Sequence, residues 1–300
     1  MMVDSQNSLI FIVQNFDCHN HSIFSDGLLR PAELVELAKK GGCDGVALTD
    51  HDTIGGLPEA TETAARIGLR FIAGVELSVT WPSPVSEATA DINPITIHVV
   101  GLGIDPFEPT LVGGIESIRN GRVERARQMG ASLAATGIEG VFEEAMGYAE
   151  NKDMIGRTHF ARALVARGIS KNIGAVFGKF LTPGKPGFVS HDWANLAQAV
   201  KWISGAGGVA VLAHPGRYKL DKAEMRTLLT EFKAQGGRAI EVITGSHEVQ
   251  QYREYAALAH EFDFMASRGS DFHGHGESRF VPGTLPLLPN DLTPVWSVLQ

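Results

Sequence analysis

A chain of 300 residues with 44% hydrophobic content can bury a barrel-sized core, and 26 Lys and Arg against 34 Asp and Glu give a formal charge of −8. That balance excludes a general basic footprint for gripping duplex DNA, yet small anionic substrates stay compatible because bound divalent ions reverse the sign of a pocket locally. Cys18 and Cys43 are the only cysteines, too few for a disulfide framework, which fits a cytoplasmic protein.

Leu9 to Val13 is the first apolar run. It is far shorter than the roughly 20 residues of a membrane-spanning helix, and it reads as the first core strand. Further strands are expected near 45–49, 70–77, 95–102, 208–213, 238–243 and 263–269, the first covering 9–17. Between them, Leu34, Leu37 and Ala38, then Leu196, Ala199, Val200 and Ile203, then Met225, Leu228, Leu229 and Phe232 recur at helical spacing, and glycines at 41–42, 207–208 and 236–237 fit the helix ends. This β/α alternation predicts parallel strands whose following loops carry the chemistry, in a barrel or an open sheet.

The alternation stops between Asp105 and Pro186. Ile115, Ile118, Arg122, Met129 and Leu133 predict one helix there, and Phe160 and Leu164 another. The segment 105–186 therefore reads as an inserted helical cap between the two parts of a barrel, 9–104 and 187–290. Trp81 to Pro94, rich in Pro, Ser, Ala and Thr, reads as a long mobile loop. Internal repeats, G-x-G-x-x-G and Walker patterns are absent, and no obligate protein partner is evident.

The chemistry-bearing residues are dense near the start. Asp17-Cys18-His19-Asn20-His21, Ser25-Asp26-Gly27 and Thr49-Asp50-His51-Asp52 follow each other closely. On an extended segment, His-x-His puts both rings on one side, so His19 and His21 can converge on one cation while Asp26 and His51 supply a neighbour. Glu76, His98, Ala213-His214-Pro215 and Ser270-Asp271-Phe272-His273 lie at or beyond later apolar runs. Mixed imidazole and carboxylate donors suit zinc, manganese or iron, and point to a catalytic rather than a structural site. Taken singly, each could be a buried hydrogen-bonding residue, and Asp17, Asp50 and Asp52 read as residues that orient rings or cap helices. Glu241 ends a predicted strand and is ambiguous in the same way.

The ordered set His-x-His, Ser-Asp-Gly, Thr-Asp-His-Asp, Gly-Val-Glu, His, Ala-His-Pro and Ser-Asp-Phe-His, from Phe16 to about Pro282, resembles the polymerase and histidinol phosphatase (PHP) family of metal-dependent phosphoesterases. The resemblance implies a distorted seven-stranded β/α barrel. It implies one ion on His19, His21, Glu76 and Asp271, a second on Glu76, His98 and His214, and a third on Asp26, His51 and His273. Two or three divalent ions, manganese first and zinc, iron or magnesium as alternatives, would activate water, with Asp26, His51, Glu76 and His214 at the centre of catalysis. Arg157-Thr158-His159-Phe160-Ala161-Arg162, Thr182-Pro183-Gly184-Lys185-Pro186-Gly187 and Ala213-His214-Pro215-Gly216-Arg217-Tyr218 resemble the branch acting on nucleoside 3′,5′-bisphosphates and on short RNA from its 5′ end. Arg157, His159, Lys185, Arg217 and His247 are the expected substrate contacts. The alternatives are a histidinol-phosphate phosphatase and a noncatalytic metal-stabilised module.

Overall fold

The computed structural model describes residues 14–82 and 94–299. Seven strands form one sheet in sequence order: β1 (Phe16–Asp17), β2 (Gly45–Leu48), β3 (Arg70–Trp81), β4 (Ile95–Leu102), β5 (Val209–Leu212), β6 (Ala239–Thr244) and β7 (Met265–Gly269). The apolar run Leu9–Val13 and most of the 81–94 segment lie outside the described residues.

Parallel neighbours need crossover connections, and helices α1 (Pro31–Lys40), α2 (Leu57–Ile67), α9 (Lys222–Ala234) and α10 (Val249–Glu261) provide them for β1–β2–β3 and β5–β6–β7. The stripes expected from spacing are the buried faces: Leu34 and Ala38 on α1, and Met225, Leu228, Leu229 and Phe232 on α9. Asp221 starts α9 by accepting from the Ala223 and Glu224 amides at 2.7 and 2.9 Å. Helix α8 (Leu196–Gly205) buries Leu196, Ala199, Val200 and Ile203 after an Asn195 cap that accepts from the Gln198 amide.

One strand departs from the parallel expectation. Strand β4 runs antiparallel to both β3 and β5. His98 therefore reaches the barrel mouth from the first half of its strand, paired with Ser78, rather than from a carboxyl end. The two outer strands meet as well: the Cys18 amide donates to the Arg268 carbonyl at 2.8 Å and the Asp271 amide to the His19 carbonyl at 2.9 Å. The result is a nearly closed seven-stranded barrel.

The helical insertion also differs from its expected form. The single helix predicted through Ile115 to Leu133 is two, α3 (Pro109–Arg119) and α4 (Arg122–Ala134), broken where Gly121 takes φ +87°, a left-handed conformation open to glycine. Leu111, Ile115 and Ile118 of α3 pack into the barrel's core, whereas Met129 and Leu133 of α4 belong to a second buried cluster. That cluster also takes in α5 (Val141–Tyr148), α6 (Arg157–Ala166), α7 (Ile173–Val176) and the π-helical turn Phe177–Leu181, with Phe160, Leu164 and Leu181 fully covered.

The seam between β7 and β1 depends on a buried cation. Arg268 has no solvent exposure. It donates to the carbonyls of Pro286 and Leu285 at 2.7 Å, to Asn15 Oδ1 at 2.7 Å and to the Phe16 carbonyl. Trp296 stacks on Phe16 at 5.0 Å beside it. Arg268→Met leaves these acceptors buried and unpaired, and is expected to cost about 3 kcal/mol or more in urea unfolding. An unchanged midpoint would mean that packing alone closes the barrel.

Candidate metal centre

The carboxyl ends of the parallel strands and the reversed start of β4 bring the expected donors to one mouth. Glu76 Oε1 lies 2.8 Å from His98 Nδ1 and 2.9 Å from His214 Nε2. Its other oxygen lies 2.9 Å from His51 Nδ1, 3.2 Å from His19 Nε2 and 3.3 Å from His21 Nε2. Asp271 Oδ1 is 3.2 Å from His21 Nε2, and Asp26 Oδ1 is 3.3 Å from His273 Nε2. Three overlapping groups have atoms close enough to share a cation: His21, Asp26, His51 and His273; His19, His21 and Glu76; and His51, Glu76 and His98. His21 and His51 each belong to two of them, a tighter interleaving than the family pattern implied.

The donor set fits such ions on its own evidence. His21 Nδ1, Asp26 Oδ1, His51 Nδ1, Glu76 Oε2, His214 Nδ1 and Asp271 Oδ1 are all buried without a hydrogen-bond partner. So many unsatisfied polar atoms at one point need an explanation, and divalent ions taking nitrogen and oxygen ligands supply one. His19 Nε2 and His21 Nε2 face each other at 3.1 Å, as two ligands of one cation would.

Electrostatics prepare the donors unevenly: against burial, neighbouring carboxylates push His19, His51 and His273 up, the last to about 9. Burial and the neighbouring His273 and His51 push His21 down to about 3, and burial with Arg217 does the same to His214. Both rings are neutral at pH 7, the form that ligates. Burial pushes Glu76 up, but His51, His19 and His98 outweigh it and hold the carboxyl well below its usual range. Burial likewise opposes Asp26, whose neighbours His273 and His51 keep it well below.

Residues behind the donors fix their orientation. Glu241 Oε1 meets His19 Nδ1 at 2.7 Å, and its Oε2 accepts from the His214 amide at 2.6 Å, so one carboxylate sets two of the donors. Asp50 accepts from the Ser22 amide and from the Ser22 and Ser25 hydroxyls at 2.6–2.7 Å, and Asp52 from the Ser78 amide and hydroxyl at 2.7 and 2.9 Å. Asp17 accepts from the Ser270 amide at 2.9 Å and Asn20 Nδ2 at 3.0 Å. His214, Asp271 and Asp52 adopt positive φ, 28°, 53° and 46°, a strained backbone that recurs where a site over-determines its geometry. Gly269 is required for a different reason, since a Cβ there would sit 2.3 Å from His19 Cβ.

Beside the donors, Arg122, Arg125, Arg157 and Arg217 line one cavity together with Asp26, His51, His98 and His273. Burial and the adjacent Arg157 and Arg122 push Arg125 down to about 9, and burial with Arg217 and Arg122 pushes Arg157 to about 10. Arg122 bonds Asp52, lies 4.7 Å over the Trp193 ring and keeps a buried Nε without a partner. Arg217 pairs with Asp271 at 3.0 Å.

Three expected substrate contacts fall elsewhere. Lys185 is exposed on the turn after the π-helical segment and lines neither this cavity nor its neighbour. His247 is fully buried, its Nδ1 on the Val242 carbonyl at 3.1 Å and its Nε2 accepting from the Gly216 amide at 2.9 Å, so both ring nitrogens serve the backbone. His159 is buried at the start of α6, where Nδ1 accepts from the Gly156 amide at 3.0 Å. Arg122, expected only as part of a helix, and Arg125, not singled out in the sequence, are further cations that the fold brings to this cavity.

A PHP domain model matches residues 17–244. The chain belongs to the PHP family. It is 50% identical over 286 residues to a 3′,5′-nucleoside bisphosphate phosphatase of Chromobacterium violaceum, covering 95% of this chain and 96% of that one. It is 36% identical over 290 residues to a 5′-3′ exoribonuclease of Haemophilus influenzae, covering 95% and 99%. A solved Chromobacterium violaceum amidohydrolase, with bound sulfate and no metal, superposes with a TM-score of 0.88 at 50% identity over 94% of this chain and 95% of that one. The PHP assignment agrees with the barrel and with the donor set. Among the described residues no helix is long and apolar enough to cross a membrane.

Glu241→Gln keeps the size of the side chain but weakens its grip on His19. We expect metal affinity, read by chelator competition, to fall about 10- to 100-fold without loss of secondary structure. Unchanged affinity would remove Glu241 from the site.

Proposed function

We propose that this chain is a metal-dependent phosphatase that removes the 3′-phosphate of nucleoside 3′,5′-bisphosphates such as pAp, leaving a 5′-mononucleotide and phosphate, and that the same site trims short RNA from its 5′ end. The observation that carries this reading is the juxtaposition of the imidazole and carboxylate cluster with four arginines in one cavity. A monoester with a single phosphate would use only the first of these. A bisphosphate uses both, and the relatives named above act on such substrates and on RNA.

His19, His21, Asp26, His51, Glu76, His98, His214, Asp271 and His273 would hold two or three divalent ions, and manganese suits the donors, with zinc, iron and magnesium as competitors. Such ions supply a nucleophilic water at neutral pH and neutralise phosphoryl charge. The arginines anchor the 5′-phosphate, with Arg157 and Arg217 offering paired N–H groups that match phosphate oxygens. In the reaction a water oxygen bonds to the 3′ phosphorus, the P–O3′ bond breaks, and the 3′-oxygen departs and takes a proton. Segment 105–186 acts as a cap, because Arg122, Arg125 and Arg157 all belong to it. Buried, unpaired Cys18 and Cys43 and an intracellular substrate class support a cytoplasmic location.

Manganese-loaded protein is expected to convert pAp to 5′-AMP and phosphate, while 5′-AMP and histidinol phosphate survive. Arg157→Ala is expected to raise KM for pAp about tenfold, a loss of about 1.4 kcal/mol. Survival of pAp alongside turnover of histidinol phosphate would overturn the reading.

A further inference from the structure

A second cavity, of about 480 Å³, meets the first over the metal centre. The two share Thr158, Phe177, Arg217 and His273. They then diverge: the arginine cavity continues over Ser78 and Thr96 of β3 and β4, whereas the second continues over Gly245 and Ser270, which follow β6 and β7. Its volume falls within the ~300–1,000 Å³ of ordinary small-molecule sites. Ile173 and Phe177 give it an apolar wall, Ser246 and Thr182 polar edges and Arg279 a cation, while its two carboxylates, Asp271 and Glu277, are paired with Arg217 and Arg162. Arg279 is half-exposed and pairs at 3.1 Å with Glu248, whose side chain is 73% exposed. A rim pair of this kind contributes little and yields readily to a stronger anion.

We propose that this second cavity is the exit path for RNA lying 3′ of the scissile phosphate, with Arg279 holding the first downstream phosphate. The inference rests on the functional reading above and adds to it the feature that separates the two substrates. In both reactions water oxygen joins phosphorus and P–O3′ breaks, with the proton going to the departing 3′-oxygen. With pAp the phosphoryl group leaves as free phosphate, so nothing occupies the second cavity. With RNA the phosphoryl group stays on the 5′-oxygen of the next nucleotide, and the remaining chain must leave on the side away from the arginine cavity. The shortened RNA keeps a 5′-phosphate, and that group is what the four arginines would take in the following cycle. Phe177 and Ile173 provide a surface against which a downstream base can stack or rest regardless of its identity.

The test compares pAp with a 5′-phosphorylated tetranucleotide in Arg279→Ala and Arg279→Lys. For Arg279→Ala, kcat/KM on the tetranucleotide is expected to fall about tenfold while that on pAp changes by no more than about twofold, and Arg279→Lys should recover part of the RNA loss. Fluorescence anisotropy of the same RNA, carrying a nonhydrolysable first linkage, on the metal-loaded Arg279→Ala protein should show weaker binding, with a salt slope smaller by about 0.7, the signature of one lost phosphate contact on a single strand. Equal losses on pAp and RNA would overturn the proposal, because the cavity would then serve a part common to both. Unaltered RNA affinity and salt slope in Arg279→Ala would overturn it too. Failure of the parent protein on pAp strikes the functional reading instead, and the anisotropy arm still decides the cavity.

Discussion

Everything at the barrel mouth is arranged around one carboxylate that water cannot reach. Glu76 has no solvent exposure, and five imidazole nitrogens lie 2.8–3.3 Å from its oxygens. An ionised carboxylate in such a place costs several kcal/mol unless positive charge answers it. The rings cannot answer it fully, since burial keeps His21 and His214 neutral near pH 7. Protonating the others would occupy the nitrogens that ligate. Divalent ions resolve the conflict, because they compensate Glu76, Asp26 and Asp271 together while leaving the imidazoles neutral.

That single requirement explains several departures from regular structure. Reversal of β4 brings His98 to the first oxygen of Glu76, and the left-handed backbone of His214 is stabilised where Glu241 accepts its amide. The same Glu241 fixes His19, so the first candidate metal donor and the His214 turn are mechanically linked through one side chain. Gly269 leaves room for His19 to lie against β7. Arg268, one residue earlier, ties that strand to β1 through carbonyls, so the donors on the two outer strands keep their spacing.

The strands from β2 onward were legible because buried runs of Val, Ile and Leu are bounded by turns; β3 runs four residues beyond its expected end, and of the first expected strand only Phe16–Asp17 is seen as strand among the described residues. Direction was not legible: alternation tells which face a residue takes, and it reads the same on a reversed strand, so β4 was expected to be parallel. The α3–α4 break escaped notice because apolar spacing resumes at the same period beyond Gly121. His19, His21, His51, Asp271 and His273 stood out by density, whereas Glu241, a lone acidic residue in an apolar strand, stayed ambiguous until His19 was seen to lie against it. Arg122 was read only as one position along a helix and Arg125 was not singled out, because Trp193, on which both guanidiniums rest, is far away in sequence. For Lys185 and His247 the sequence could not say which way a turn projects or which backbone group claims a ring nitrogen, and the fold places neither in the lining of the arginine cavity.

The choice of arginine for the second half of the mouth follows from the same burial that shapes the first. With a chain charge of −8, long-range attraction for a nucleotide is unfavourable, and beyond about 8 Å at physiological salt it is screened in any case. Capture therefore depends on cations held close to the substrate in poorly solvated surroundings. There burial, and after it the neighbouring guanidiniums, push Arg125 and Arg157 down, whereas Asp271 and Glu76 hold Arg217 up against its own burial. A lysine exposed to the same burial and repulsion would approach neutrality at pH 7, because its amine starts lower and shifts readily, whereas arginines at about 9 and 10 keep their charge. The accumulated repulsion is relieved when an anion enters. An anion on the arginines and divalent cations among the donors around Glu76 would thus satisfy the two halves of one mouth, each of which is electrostatically incomplete without its counter-ion.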